Sequence, residues 1–78
     1  MVTALKGDKN LGMMLKRHRL LAGLTLRQLG AYSGVSPSQM SRIERGEHFP
    51  SVRVLRKIAQ PLGFSEGEIF TFVGYFLT

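Results

Sequence analysis

One local pattern recurs three times in this chain and constrains it more than anything else. A hydroxyl residue is followed three positions later by glutamine or glutamate: Thr25 with Gln28, Ser36 with Gln39, and Ser65 with Glu68. In a capping box the hydroxyl accepts from the amide three residues on, and the side chain there reaches back to the cap's own amide. Each box is flanked by an apolar pair at the positions that close a hydrophobic staple: Leu24 with Leu29, Val35 with Met40, Phe64 with Ile69. Ser51, after Pro50, is a further N-cap, and Pro37 stands at a first helical position, where a missing amide costs nothing. Gly23, Gly34, Gly46 and Gly63 each follow a periodic segment and suit the left-handed conformation that ends a helix. These signals predict five helices, at about 9–22, 25–32, 36–45, 51–62 and 65–76. No stretch alternates with period two over a useful length, so an all-α fold is expected.

The apolar positions follow the helical period. Leu11, Met14, Leu15, Leu21 and Ala22 in the first helix, Met40 and Ile43 in the third, and Val52, Leu55, Ile58, Ala59 and Leu62 in the fourth are expected to form one core. A chain of 78 residues supports one domain, here 9–78, with 1–8 as a flexible N-terminal arm. Pro61 breaks the pattern. It removes an amide donor and crowds the carbonyl of Lys57, which predicts a kink or an early end to the fourth helix.

Composition narrows the function. There is no cysteine, one aspartate (Asp8) and two histidines (His18, His48), so a thiolate site, a metal cage or a Ser-His-Asp triad has almost nothing to be built from. No cofactor, no metal and no catalytic residue is expected. The longest apolar stretch, Phe70 to Leu77, is far short of the roughly 20 residues of a membrane span, and Met1 to Asp8 lacks a signal peptide's apolar core. The expected setting is the cytoplasm. Eleven Lys/Arg against five Asp/Glu give +6. All eleven fall within residues 1–62 with three acidic residues, whereas 63–78 carry Glu66 and Glu68 alone. A basic body of this kind points first to nucleic acid. RNA fits less well, because the aromatics crowd the acidic tail instead of interleaving with basic residues.

The second and third helices are short and joined by Ser33-Gly34-Val35, a turn tight enough to set them at a steep angle as a helix-turn-helix. Gly30 permits their close approach, and Leu29, Val35, Met40 and Ile43 face inward. The third helix then offers Ser38, Gln39, Ser41, Arg42 and Arg45 outward. Arg can read guanine in the major groove, Gln can read adenine, and Ser serves either. The free amides at the N-termini of both helices, at Thr25 and Ser36, suit phosphate oxygens.

Residues 11–70 resemble the Cro/phage-repressor type of helix-turn-helix protein, also called the XRE family. The matching stretches are Ala22-Gly23-Leu24-Thr25, Gly34-Val35-Ser36, Ser41-Arg42-Ile43-Glu44-Arg45-Gly46, Pro50-Ser51, Lys57-Ile58-Ala59 and Leu62-Gly63. The resemblance covers about three-quarters of the chain, and Gly34 to Gly46 is its specific part. It implies a five-helix lambda-repressor-like domain with the third helix in the major groove of double-stranded DNA. Ser38 and Arg42 would face bases, with Gln39 beside them and Pro37 near the groove floor. Thr25, Gln28, Ser41 and Arg45 would approach phosphates. The resemblance further implies a partly buried structural pair between Arg19 and Glu44. Apart from the resemblance, Ser36 is a further phosphate candidate, and Arg27 and His48 are either phosphate contacts or solvent-facing side chains. Three departures stand out. Leu26 replaces the family's usual glutamine and is expected to leave an exposed leucine. His18 replaces an apolar residue and is expected half-buried, not as a ligand. Pro37 offers no side-chain hydrogen bond, so a thymine methyl is its natural contact.

The last 15 residues hold more apolar side chains than a small domain can cover. Phe72, Val73, Phe76 and Leu77 are therefore expected to form a homodimer interface. The resulting reading is a dimeric repressor at an inverted-repeat operator. The alternative is an antitoxin-type module whose apolar tail holds a protein partner.

Overall fold

The computed structural model describes residues 9–65 and Glu68. Among these are four helices and no strand: α1 (Lys9–Leu21), α2 (Leu26–Ser33), α3 (Pro37–Glu44) and α4 (Val52–Leu62). Each starts or stops within a residue of the place its cap signals indicate. Two of the three boxes are reciprocal, Thr25 with Gln28 and Ser65 with Glu68, the latter with Ser65 N donating to Glu68 Oε1 at 2.8 Å and Glu68 N to Ser65 Oγ at 3.2 Å; at Ser36 the hydroxyl accepts from the Gln39 amide without the reciprocal bond. The fifth helix beyond that box, the expected interface residues Phe72, Val73, Phe76 and Leu77, and the arm at 1–8 lie outside the described residues.

All four helix-ending glycines have positive φ, between 74° and 83°. Three of these ends use one device. At Gly23, Gly46 and Gly63 the glycine amide bonds the carbonyl three residues back, and the next amide bonds the one five back: Leu24 N to Arg19 O, Glu47 N to Arg42 O, Phe64 N to Ala59 O. This last bond explains why Pro61 does not shorten α4. The helix runs to Leu62, and the two amides after it close the end that the proline weakens. The carbonyl deprived of a donor belongs to exposed Lys57, where water can serve it.

Leu11, Leu15, Leu29, Val35, Met40, Ile43, Leu55, Ile58 and Ala59 form the core. Helix α1 packs on α3, and α2 packs on both α3 and α4. Five apolar expectations fail: Met14 is half-buried and stands outside the core cluster, and four others fail for a geometric reason. Leu21 is 77% exposed and Ala22 is exposed, because the buried stripe of α1 runs Leu11, Leu15, Arg19 and a paired charge takes the place of an apolar residue in the last turn. Val52 starts α4 at the rim of the core and is exposed. Leu26 is not exposed. It stands three residues before buried Leu29 on the same helical face and packs against the core.

The pair that occupies α1's buried stripe is bidentate. Arg19 Nε donates to Glu44 Oε2 at 2.7 Å and Nη2 to Oε1 at 3.0 Å, while Nη1 donates to the Leu24 carbonyl at 2.8 Å. The side chains are 8% and 5% exposed. Close approach makes this reach possible: a Cβ built on Gly12 would stand 2.5 Å from the carbonyl oxygens of both Ile43 and Glu44. His18, half-buried, meets the Phe64 ring edge to face at 4.6 Å, which seats the start of the C-terminal segment on α1. Removing one partner of a buried ion pair strands the other. Glu44→Ala is therefore expected to lower stability by about 3–5 kcal/mol in urea unfolding. A loss below about 1 kcal/mol would show that solvent reaches the guanidinium.

Candidate nucleic-acid interface

Helix α2, the turn and α3 are locked together by short-range chemistry. The Gly34 amide bonds the Gly30 carbonyl at 2.8 Å, and the left-handed φ of 78° at Gly34 reverses the chain. The Val35 amide donates to buried Ser33 Oγ at 3.2 Å. Ser36 Oγ accepts from the Gln39 amide at 3.1 Å and starts α3 at once. A Cβ on Gly30 would lie 2.9 Å from the Val35 carbonyl and 3.2 Å from the Pro37 ring, so only glycine admits this crossing without a shift.

Helix α3 buries Met40, Ile43 and Glu44. The same rotation turns Ser38, Arg42 and Arg45 to solvent and leaves Gln39 and Ser41 half-buried, while Pro37 is exposed at the start. Ser36, Ser38, Gln39 and Arg42 line a shallow open depression of about 270 Å³, and His48 closes it from the loop after α3. Three of the four expected base readers and two of the expected phosphate contacts thus share one concave surface. Its lining contains no carboxylate.

The remaining phosphate candidates lie outside that depression. Thr25 Oγ1 accepts from the Gln28 amide at 3.0 Å, and Gln28 Oε1 accepts from the Thr25 amide at 2.9 Å. The box therefore consumes the oxygen of the Gln28 carboxamide and presents its NH₂ as an outward donor. Arg27 is exposed beside it. Arg45 donates to Glu47 Oε1 at 3.2 Å in an exposed pair. Two participants were not foreseen from sequence. Glu47 engages Arg45, and Gly12 brings α1 onto the last turn of α3. A glycine inside an apolar helical period was the available sign of the second. Among the described residues no group of three His, Asp or Glu could hold a metal ion, and no helix is long and apolar enough to cross a membrane.

Comparison with known proteins agrees with this geometry. A family model described as a helix-turn-helix domain matches residues 10–69. The chain is 39% identical over 61 residues to the HTH-type transcriptional regulator SlrR of Bacillus subtilis (strain 168), a match spanning 77% of this chain and 40% of that protein. It is 40% identical over 63 residues to the uncharacterized HTH-type transcriptional regulator y4dJ of Sinorhizobium fredii, spanning 81% and 82%. The crystal structure of the clp gene regulator ClgR from C. glutamicum superposes with a TM-score of 0.73 at 32% identity, over 95% of this chain and 94% of that one. The chain thus covers about two-fifths of SlrR and most of the other two. Capped α2, the glycine turn and the outward face of α3, matched from residue 10 to 69, make this chain a member of the helix-turn-helix family of the Cro/phage-repressor (XRE) type.

Proposed function

We propose that the chain is a sequence-specific double-stranded DNA-binding transcriptional regulator that acts in the cytoplasm, with α3 in the major groove. The observation that carries this reading is the concave surface of Ser36, Ser38, Gln39, Arg42 and His48. It offers hydrogen-bonding groups and positive charge, lacks a carboxylate, and stands on a rigid helix pair. The names of SlrR and ClgR support the same class of activity. Pro37, Ser38, Gln39 and Arg42 contact bases; Thr25, Arg27, Gln28, Ser36, Ser41 and Arg45 contact phosphates. The reading assigns no catalytic step.

One helix-turn-helix reads only a few base pairs, so specificity needs two heads on half-sites about 34 Å apart. Phe72, Val73, Phe76 and Leu77 supply the surface for a C2 dimer. Such a dimer on an inverted repeat represses by occluding polymerase. A second reading is a protein-binding module of the antitoxin type, favoured by the exposed apolar side chains Met13, Leu20 and Leu21 on α1.

Selection from a random pool of duplexes at near-physiological salt tests the first reading. An enriched inverted repeat supports it; retention without enrichment favours a protein partner. On the enriched duplex, Arg42→Ala is expected to cost about 1–3 kcal/mol and to relax preference at one base position. Gln28→Glu keeps the capping acceptor but replaces the outward donor with an anion. It should leave the melting temperature unchanged or slightly raised while duplex affinity drops, and the drop should be equal across sequences. For the dimer, Phe76→Glu should give a folded monomer by sedimentation, with weaker DNA binding. An unchanged sedimentation profile would remove Phe76 from the interface.

A further inference from the structure

The end of α3 does more than stop a helix. The amide of Gly46 bonds the Ile43 carbonyl at 3.0 Å, and the amide of Glu47 bonds the Arg42 carbonyl at 2.8 Å. With Gly46 at φ 78°, the chain folds back over the last turn and does not leave along the helix axis. His48 is the next residue. It is exposed, and it reaches the depression whose other walls are Ser36, Ser38, Gln39 and Arg42. Thr25, Arg27, Gln28 and Arg45 do not line this depression. Its one permanently charged side chain is that of Arg42. The adjacent carboxylate, Glu47, is bonded to Arg45 at 3.2 Å and forms no part of the lining. His48 therefore shares its space with the proposed base readers Ser38, Gln39 and Arg42 as well as with Ser36, and no acidic side chain of that lining competes for its ring.

We infer that His48 is a specificity-determining residue that reads a base edge next to the one taken by Arg42. This assignment rests on the DNA-binding reading above and replaces the phosphate role that the sequence suggests for this residue. A neutral imidazole carries one N–H donor and one acceptor, and a charged one carries two donors. In the major groove N7 is an acceptor on both adenine and guanine and is absent from the pyrimidines. A ring N–H of His48 donating to N7 distinguishes purine from pyrimidine at one position. Arg42, with two parallel donors, suits the N7 and O6 of a neighbouring guanine.

The experiment measures wild type and His48→Ala on the duplex enriched by selection and on its complete set of single-base variants. The side chain is exposed, so equal melting temperatures are expected for the two proteins. The expected result is a loss of about tenfold on the best duplex, with one purine preference flattened to within about twofold. Preference at the position that responds to Arg42→Ala should persist. A loss of the same factor on every duplex would make His48 a phosphate contact and overturn the inference. Unchanged binding would place the ring in solvent and overturn it as well. Failure of wild type to prefer any duplex over a scrambled one would sink the DNA reading itself, and this assignment with it.

Discussion

The orientation of α3 depends on one buried guanidinium. Arg19 fills the last core position of α1, holds both oxygens of Glu44 at the end of α3, and spends its remaining nitrogen on the carbonyl of Leu24 in the turn before α2. The first helix, the turn before α2 and the end of α3 are therefore fixed to one planar group. A leucine in that place would bury more apolar area but would impose no direction. The bidentate fork demands that the end of α3 arrive at one angle and one register. Among the described residues no buried side-chain nitrogen or oxygen is left without a partner, so hydrogen bonds offset part of the pair's desolvation. Gly12 belongs to the same arrangement, because any side chain there would hold α1 off the carbonyls of Ile43 and Glu44.

Much of this fold was legible because helix ends are encoded locally. A cap is a contact among residues a few positions apart, so Thr25 with Gln28, or Ser36 with Gln39, can be read without knowing what the helix packs against. The same holds for the left-handed glycines. Packing is less legible. Periodicity placed Leu21 and Ala22 in the core, but the choice between Arg19 and those residues is made by Glu44, 25 positions away. Leu26 departs from the exposed position that the family resemblance implies, because its spacing to Leu29 turns it inward. Pro61 predicts a kink or an early end, and the early end does not occur, since α4 runs to Leu62 and its closure at Gly63 lies downstream of the proline.

The candidate site divides along the same line. Residue types and the helical rotation of α3 were sufficient to collect Ser38, Gln39 and Arg42 on one face. They could not decide what the loop after α3 does, because its path depends on two amide bonds back to Ile43 and Arg42. That path moves His48 from the margin into the depression and turns Glu47 onto Arg45. The proposed phosphate contact of Arg45 consequently involves a guanidinium that already pairs through Nη2 with Glu47. An anion approaching Arg45 would meet a neighbouring carboxylate, whereas Arg42 is exposed and has no carboxylate within its lining.

Rigidity and adaptability are thus assigned to different groups. The parts that set where α3 points are over-determined: the buried Arg19 fork, the Gly30 crossing and the Ser33 hydroxyl, together with the exposed Ser36 cap. Ser38, Arg42 and His48, which would touch a partner, are exposed and take no part in those bonds. Substitution at Ser38, Gln39, Arg42 or His48 can therefore alter what the surface recognises at little cost to folding, since none of these side chains belongs to the apolar core. Pro37 is the exception. Its ring lies against Gly30 at the tightest point of the crossing. A larger or branched side chain there would alter both the helix angle and the surface offered, so this position couples the frame to what the frame presents.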